Sequence, residues 1–178
     1  MLTRKEGMIT IQTVRLGIPV PLFGSSGNEE AFDEDDLPEE EFDEDDGEAC
    51  EGEDGPETAE MMMEGRLVTT SRRAELVYHE SELTGMEGSV TKIGFDLDTP
   101  DLVTMLRGGS VSTSLVFEPH KRHICVYNTP FSSFEVCVHT LTVQNDLLES
   151  GKLYLDYLIE IHGARTERCQ MTLTFRAL

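Results

Sequence analysis

The sequence predicts an all-β protein: an antiparallel up-and-down β-barrel of about 8–10 strands with a long, disordered acidic insertion after the first strand. Three observations carry this prediction. Apolar and polar residues alternate with a period of two over most of the chain, short turn sequences separate the alternating segments, and the negative charge is concentrated in one stretch. The chain has 178 residues, enough outside that stretch for one domain with its own core.

The alternating segments have the length of ordinary strands, and each has one apolar face. The clearest alternation places Leu153, Leu155 and Tyr157 on one face, with Tyr154 and Asp156 on the other. The predicted strands are 7–15, 61–70, 73–81, 87–96, 102–107, 111–117, 122–128, 134–138, 153–161 and 166–178.

Turn sequences join these strands as hairpins. Gly108 and Gly109 form the residue pair of a tight turn, and Pro130 stands at the second position of a turn over 129–132. Residues 146–149 have room for one helical turn at most. A meander of hairpins with one apolar face is most stable when closed, because closure removes the exposed strand edges. The pattern therefore favours a barrel over an open sheet.

The acidic stretch lies between the first two predicted strands. No Lys or Arg occurs from Leu16 to Gly65, and residues 29–60 hold 19 of the 35 acidic residues. Such a sequence cannot offset the entropy of ordering by burial, which predicts disorder. We divide the chain into the first strand with its lead-in (1–26), the insertion (27–60) and the remainder of the barrel (61–178).

Two roles stay open for the insertion. A solubilising segment is the favoured interpretation, because one-signed charge keeps a chain solvated. The alternative rests on Phe32, Leu37 and Phe42, which are spaced five residues apart among the acids. This spacing is compatible with a docking motif for a basic protein partner.

Composition excludes several classes of function. The acidic balance argues against nucleic acid as a partner, because binding phosphate requires a basic surface. No apolar run is long enough to span a membrane, and no apolar segment follows Arg4 and Lys5 as in a signal peptide, which predicts a cytoplasmic protein. The histidines are scattered and no CxxC pair occurs, so we expect no metal site and no cofactor.

The four cysteines are expected to be free thiols, as is usual in the cytoplasm. They are Cys50, Cys125, Cys137 and Cys169. Cys125 and Cys137 flank a predicted hairpin and could approach each other. A one-residue difference in strand register decides whether they do, and alternation alone leaves the register open.

Three stretches resemble the YwiB-like bacterial proteins. Residues 78–88 read YHESELTGMEG and are the most specific match, and Arg107 is followed by two glycines. The third stretch consists of Phe117, Glu118, Lys121, Arg122, His123, Tyr127, Thr129 and Pro130. This resemblance implies a calycin-like (lipocalin-like) β-barrel from about residue 7 to residue 178. It implies no reaction, because the family has no assigned function. The acidic stretch departs from the short loop that is usual in the family.

Glu80 is the most informative candidate site residue. If Leu76 and Tyr78 face the barrel interior, alternation directs Glu80 there too, and a buried carboxylate needs a cation or several hydrogen-bond donors. Either this cluster orients a ligand at the barrel mouth or it is a structural salt bridge, and the second alternative is favoured. The candidate ligand-binding residues are Tyr78, Glu80, Glu82, Arg107, Arg122, His123, Tyr127 and Thr129.

The favoured function is a binding module for a small, partly apolar or amphipathic ligand. It predicts a cavity above about 300 Å³. We expect this cavity to be lined by Leu76, Tyr78, Phe95, Phe117 and Tyr157. The alternative is a protein–protein interaction module that uses the acidic stretch or the barrel surface, with a homodimer or a basic protein as partner. A small hydrolase or isomerase built on Glu80 and His123 is the least favoured hypothesis, and no catalytic residue is assigned.

Overall fold

Ten strands make up the protein in a computed structural model that describes residues 2–18, 55–82, 86–161 and 166–178. In chain order they are β1 (Thr3–Ile18), β2 (Glu57–Thr69), β3 (Arg73–His79), β4 (Val90–Asp96), β5 (Thr99–Gly108), β6 (Ser112–Phe117), β7 (Arg122–Asn128), β8 (Ser133–Asp146), β9 (Lys152–Ile161) and β10 (Thr166–Ala177).

The ten strands form one closed barrel in which each strand pairs antiparallel with its neighbours in sequence. β10 returns to pair with β1, with Ile9 of β1 opposite Phe175 of β10 on one side and Met63 of β2 on the other. The predicted all-β, up-and-down antiparallel barrel is therefore confirmed. Among the residues that the structure describes, no helix is long and apolar enough to cross a membrane.

The second strand begins earlier than the sequence indicates. The predicted insertion spans 27–60, but Glu57 already pairs with Arg15 in β2. Gln12 donates a side-chain hydrogen bond to Glu60 across the same pair of strands at 2.9 Å. Pairing with the long β1 thus extends the strand into acidic sequence, and the rest of the predicted disordered insertion, residues 27–54, lies outside the described residues.

The two ends of the barrel differ in how they are filled. One end carries the turns 70–72, 97–98, 118–121 and 147–151, and its interior is closed by fully buried side chains such as Leu76, Phe117 and Leu153. Leu147, from the β8–β9 connection, is buried against this core. We call this the packed end. The opposite end, where β1, β3, β5, β7 and β9 finish, we call the open end.

The register around the cysteines is now defined. Cys125 lies opposite Val136, and Ile124 lies opposite Cys137. The one-residue offset sends the two thiols to opposite faces of the wall. Cys125, Cys137 and Cys169 are free, while Cys50 lies outside the described residues.

Candidate functional site

A pocket of about 360 Å³ lies inside the open end of the barrel. Polar and ionisable side chains form one part of its wall, and apolar side chains form the rest. The polar part consists of Thr13, Arg15, Glu57, Tyr78, Glu80, Arg107, Tyr127 and Tyr157. The apolar part consists of Ile11, Ala59, Met61, Met86, Met105, Leu115, Ile159 and Met171.

Three residues of the polar wall, Tyr78, Arg107 and Tyr127, belong to one belt of aligned residues across five strands. Tyr78 lies opposite Thr91, Thr91 opposite Arg107, Arg107 opposite Thr113, and Thr113 opposite Tyr127. Aligned residues in an antiparallel sheet share one face and stand side by side. The register therefore places these side chains in one row on the inner face of the wall.

A buried ion pair joins Glu80 to Arg107 at the centre of this belt. Arg107 Nε donates to Oε1 of Glu80 at 3.1 Å, and Nη2 of the same guanidinium lies 3.0 Å from that oxygen. The Thr91 hydroxyl donates to the same oxygen at 2.5 Å. The side chain of Glu80 is 2% exposed and that of Arg107 is 11% exposed. A charge this deeply buried requires its partner, because either one alone would be left uncompensated.

Glu80 reaches this position although it lies just beyond the end of β3. Its backbone N–H donates to the carbonyl oxygen of Ser89 at 2.9 Å, which continues the β3–β4 pairing by one step. Leu76, Tyr78 and Glu80 are all buried, as alternation along the strand predicts. His79, between them, is exposed.

The hydroxyl of Tyr127 is available to a bound molecule. The Tyr127 ring stacks on Phe134 with 5.4 Å between ring centroids, which fixes its orientation. Arg107 Nη1 donates to the Tyr127 oxygen at 3.4 Å, and the Tyr127 hydroxyl itself points at Sδ of Met86 at 3.6 Å. A thioether is a weak acceptor, so a ligand oxygen would displace it.

Tyr78 and Tyr157 remain protonated at neutral pH. Burial raises the pKa of both phenols above the ordinary value, and the nearby Glu80 carboxylate raises the pKa of Tyr78 further. With Tyr127, three of the four tyrosines in the chain line the pocket, next to the Arg107 guanidinium. The polar wall thus holds donors from Arg107 and the tyrosines beside two carboxylates, Glu57 and Glu80, of which Glu80 Oε1 already accepts from Thr91 and Arg107.

Methionine dominates the apolar wall. Met61, Met86, Met105 and Met171 line the pocket, which is half of the eight methionines in the chain. Methionine side chains are flexible and polarisable, so they adapt to apolar surfaces of different shape. The pocket therefore combines a fixed polar wall with an adaptable apolar one.

The structure brings four of the eight predicted site residues together and leaves the other four elsewhere. Tyr78, Glu80, Arg107 and Tyr127 line the pocket. Glu82 is exposed, because β3 ends at His79 and the strand that would have paired its carboxylate with Glu80 does not continue.

The remaining three predicted residues have partners outside the pocket. Arg122 contacts Glu160 on the outer surface at 3.2 Å. His123 Nε2 lies 3.1 Å from Glu118 Oε2. The Thr129 hydroxyl accepts from the backbone N–H of Ser132 at 3.1 Å and thereby caps its own turn.

Of the five residues expected to line a cavity, Tyr78 and Tyr157 do so. Leu76, Phe95 and Phe117 are instead buried in the core. Sequence reasoning missed Thr91 and Met105, because their height in the barrel depends on the pairing of β4 and β5. Among the described residues, no group of three His, Cys, Asp or Glu side chains could hold a metal ion.

Comparison with known proteins gives a family and a structural relative. The profile of a family described as "Domain of unknown function (DUF1934)" matches residues 47–173. The crystal structure of the ywiB protein from Bacillus subtilis superimposes with a TM-score of 0.61 at 17% sequence identity, covering 98% of this chain and 94% of that one. At this identity the likeness concerns the fold alone. No curated protein matches the sequence.

Proposed function

We propose a binding function for this chain, which belongs to the family described as a domain of unknown function (DUF1934): its barrel holds a small, partly apolar molecule that carries a hydrogen-bond acceptor. The supporting observation is the pocket of about 360 Å³ at the open end, with donors on one wall and methionines on the other. A volume in this range suits a small organic ligand.

The donor groups define the kind of head group that fits. Arg107 and Tyr127 offer N–H and O–H donors, and the phenols of Tyr78 and Tyr157 line the same pocket. A carbonyl or carboxylate oxygen complements this wall, whereas a cationic ligand would face the guanidinium. The apolar body of the ligand would lie against Met61 and Met105.

A ligand inside an up-and-down barrel is also what a calycin or lipocalin type of protein would hold. The calycin type, the cytoplasmic location and the protein–protein alternative stay predictions. The hydrolase or isomerase hypothesis loses its supporting geometry, because His123 contacts Glu118 and does not line the pocket with Glu80.

The test is a fluorescence titration with 1-anilinonaphthalene-8-sulfonate, an amphipathic aromatic anion. We expect saturable binding at one site in the wild type. Arg107→Lys keeps the positive charge beside Glu80 but loses the planar guanidinium with its paired N–H donors. Tyr127→Phe removes one hydroxyl. Each of these two variants should lose about one hydrogen bond to the dye. Because the acceptor is charged, this loss should lower the affinity about tenfold.

Arg122→Lys is the matched control, since this arginine pairs with a glutamate on the outer surface. We expect it to bind the dye like the wild type. Melting temperatures establish that each variant is folded. Dye binding that is absent, or equally strong in all four proteins, would contradict the proposal.

A further inference from the structure

The pairing between β6 and β7 is the shortest in the barrel. In the described chain these two strands align only through Ser112 with Asn128 and Thr113 with Tyr127. By contrast, β7 aligns with β8 along its whole length, from Arg122 opposite His139 to Asn128 opposite Ser133. We call the gap between residues 114–116 of β6 and 124–126 of β7 the seam.

The fold holds both ends of the seam. At the open end of the barrel, the Asn128 side chain donates to the Ser112 hydroxyl at 3.3 Å. At the packed end, the β6–β7 turn is fastened to β8: the N–H of His120 donates to the carbonyl of Thr140 at 2.9 Å, and the N–H of Thr140 donates to the carbonyl of Lys121 at 3.1 Å. The seam is thus a built feature of the wall and not a frayed strand end.

At the seam lies a second cavity of about 490 Å³, which is shallow and wide open to solvent. Its wall includes Thr113, Val116, Cys125 and Val126. Arg107 belongs to the walls of both this cavity and the pocket at the open end. The Arg107 side chain is therefore a wall that the two spaces share.

Thr113 supplies an unmet hydrogen-bonding group in the seam. The residue is 6% exposed, and its hydroxyl has no hydrogen-bond partner among the described residues. Leaving a buried hydroxyl unpaired is unfavourable, so such a group calls for an explanation. Cys125 is the nearest competing group: burial raises the pKa of its thiol, the Thr113 hydroxyl beside it lowers that pKa, and the thiol itself donates to the carbonyl of Val136 at 3.4 Å. Because sulfur is a weak acceptor, a ligand oxygen is the better partner for the Thr113 hydroxyl.

We propose that the seam is a second arm of the binding site and that the ligand carries an extended polar head. This inference rests on the proposed function. The apolar part of the ligand lies in the open-end pocket, a carbonyl meets Arg107 and Tyr127, and a second polar group continues into the seam to pair with the Thr113 hydroxyl.

The charges around the seam limit the chemical class of the ligand's head group. Arg107 is the one charged side chain in the described wall of this cavity, and Ser112, Ser114 and Asn128 add uncharged polar groups. An anionic or neutral head fits this wall better than a cationic one. An acyl chain joined through an amide to a short carboxylic acid has all of these features.

Isothermal titration calorimetry with octanoate and N-octanoylglycine tests this class. The two compounds share one acyl chain, and the second adds an amide and moves the carboxylate outward. We expect N-octanoylglycine to bind the wild type about tenfold more tightly, as one additional charge-assisted hydrogen bond would give.

Three variants separate a ligand contact from a structural role. Thr113→Val has the same shape without the hydroxyl, so it should remove the advantage of N-octanoylglycine while the melting temperature stays level or rises. Thr113→Ser keeps the hydroxyl and should keep the advantage. Thr140→Val is the matched control, because the Thr140 hydroxyl is also buried and unpaired among the described residues but lines neither cavity.

The outcomes distinguish the two proposals. The wild type could bind the two compounds with equal affinity, or Thr113→Val could still bind N-octanoylglycine more tightly than octanoate. Either result would overturn the seam as a binding arm without contradicting the proposed pocket. Failure of both compounds to bind would overturn the proposed function and this inference with it.

Discussion

The packed end and the open end of the barrel are built from the same strands but from different residue types. Along β3 the inward-facing side chains run from Leu76 through Tyr78 to Glu80, and along β5 they run from Val103 to Arg107. Each row passes from aliphatic to polar toward the open end. This difference shows that one continuous sheet can enclose an apolar core at one end and a polar site at the other.

The ends also differ in their connections. The turns at the packed end are short, whereas residues 19–56 join β1 to β2 at the open end. Arg15 and Glu57, which stand opposite each other where this connection leaves and re-enters the barrel, both line the pocket. The acidic stretch is thus attached at the rim of the candidate site. Loops on a rigid scaffold are where proteins commonly place function.

The largest expected effect tests whether the polar belt depends on its buried ion pair. Arg107→Met leaves the Glu80 carboxylate buried without its cation, which should cost about 3–5 kcal/mol of unfolding free energy. Arg122→Met breaks a pair that is largely exposed and should cost about 1 kcal/mol or less. Urea denaturation at neutral pH measures both free energies.

The double variant Glu80→Gln with Arg107→Met serves as the control for this comparison. Removing both charges should recover part of the loss, because no uncompensated charge remains. Equal costs for Arg107→Met and Arg122→Met would mean that water reaches Glu80 freely and that the open end is less enclosed than its burial indicates.

A second comparison concerns packing at the two ends. Leu153 is fully buried in the packed end, so Leu153→Ala should leave a closed cavity and cost about 3–5 kcal/mol. Leu115 is also buried but already lines the pocket. Leu115→Ala enlarges an existing space and should cost at least about 1 kcal/mol less, since no new closed cavity is added. Urea denaturation of both variants checks the difference, and a larger loss for Leu115→Ala would contradict it.

Much of the fold was predictable because strand periodicity is local. Alternation and turn residues placed nearly every strand and directed Glu80 inward. The start of β2 was not predictable from composition, because pairing of Glu57 with Arg15 overrides the acidic character of the sequence. The register at Cys125 could not be predicted from the pattern either. Alternation determines which face of the sheet a residue occupies, but not which residue of the next strand lies opposite it.

The candidate site was only half predictable for a related reason. Alternation tells which face a side chain occupies, but it does not tell its height along the barrel. His123 and Tyr127 share one face of β7, yet Tyr127 is aligned with Thr113 and the Arg107 belt, whereas His123 lies four residues nearer the packed end beside Glu118. Height is set by the pairing of several strands in succession, which one sequence does not reveal.

The smallest expected effect lies on the outer face of the wall, where a partly exposed arginine pairs with a buried aspartate. Arg168 donates to Asp156 from Nε at 3.0 Å and from Nη2 at 2.7 Å, and these hydrogen bonds hold the pKa of Asp156 below its ordinary value. The Asp156 side chain is only 8% exposed, but that of Arg168 is 39% exposed, so solvent screens the pair and Asp156→Asn should cost about 1 kcal/mol at neutral pH.

The pH dependence of this cost follows from the direction of the shift. A carboxylate whose pKa is lowered in the folded state contributes its stability above the pKa of the unfolded chain and loses it as the pH falls through the folded value. The difference between wild type and Asp156→Asn should therefore be constant from pH 7 to about pH 5 and shrink below about pH 4, where unfolded Asp titrates. Urea denaturation across this range measures it, and a difference that persists at pH 2 would assign the cost to packing and not to charge.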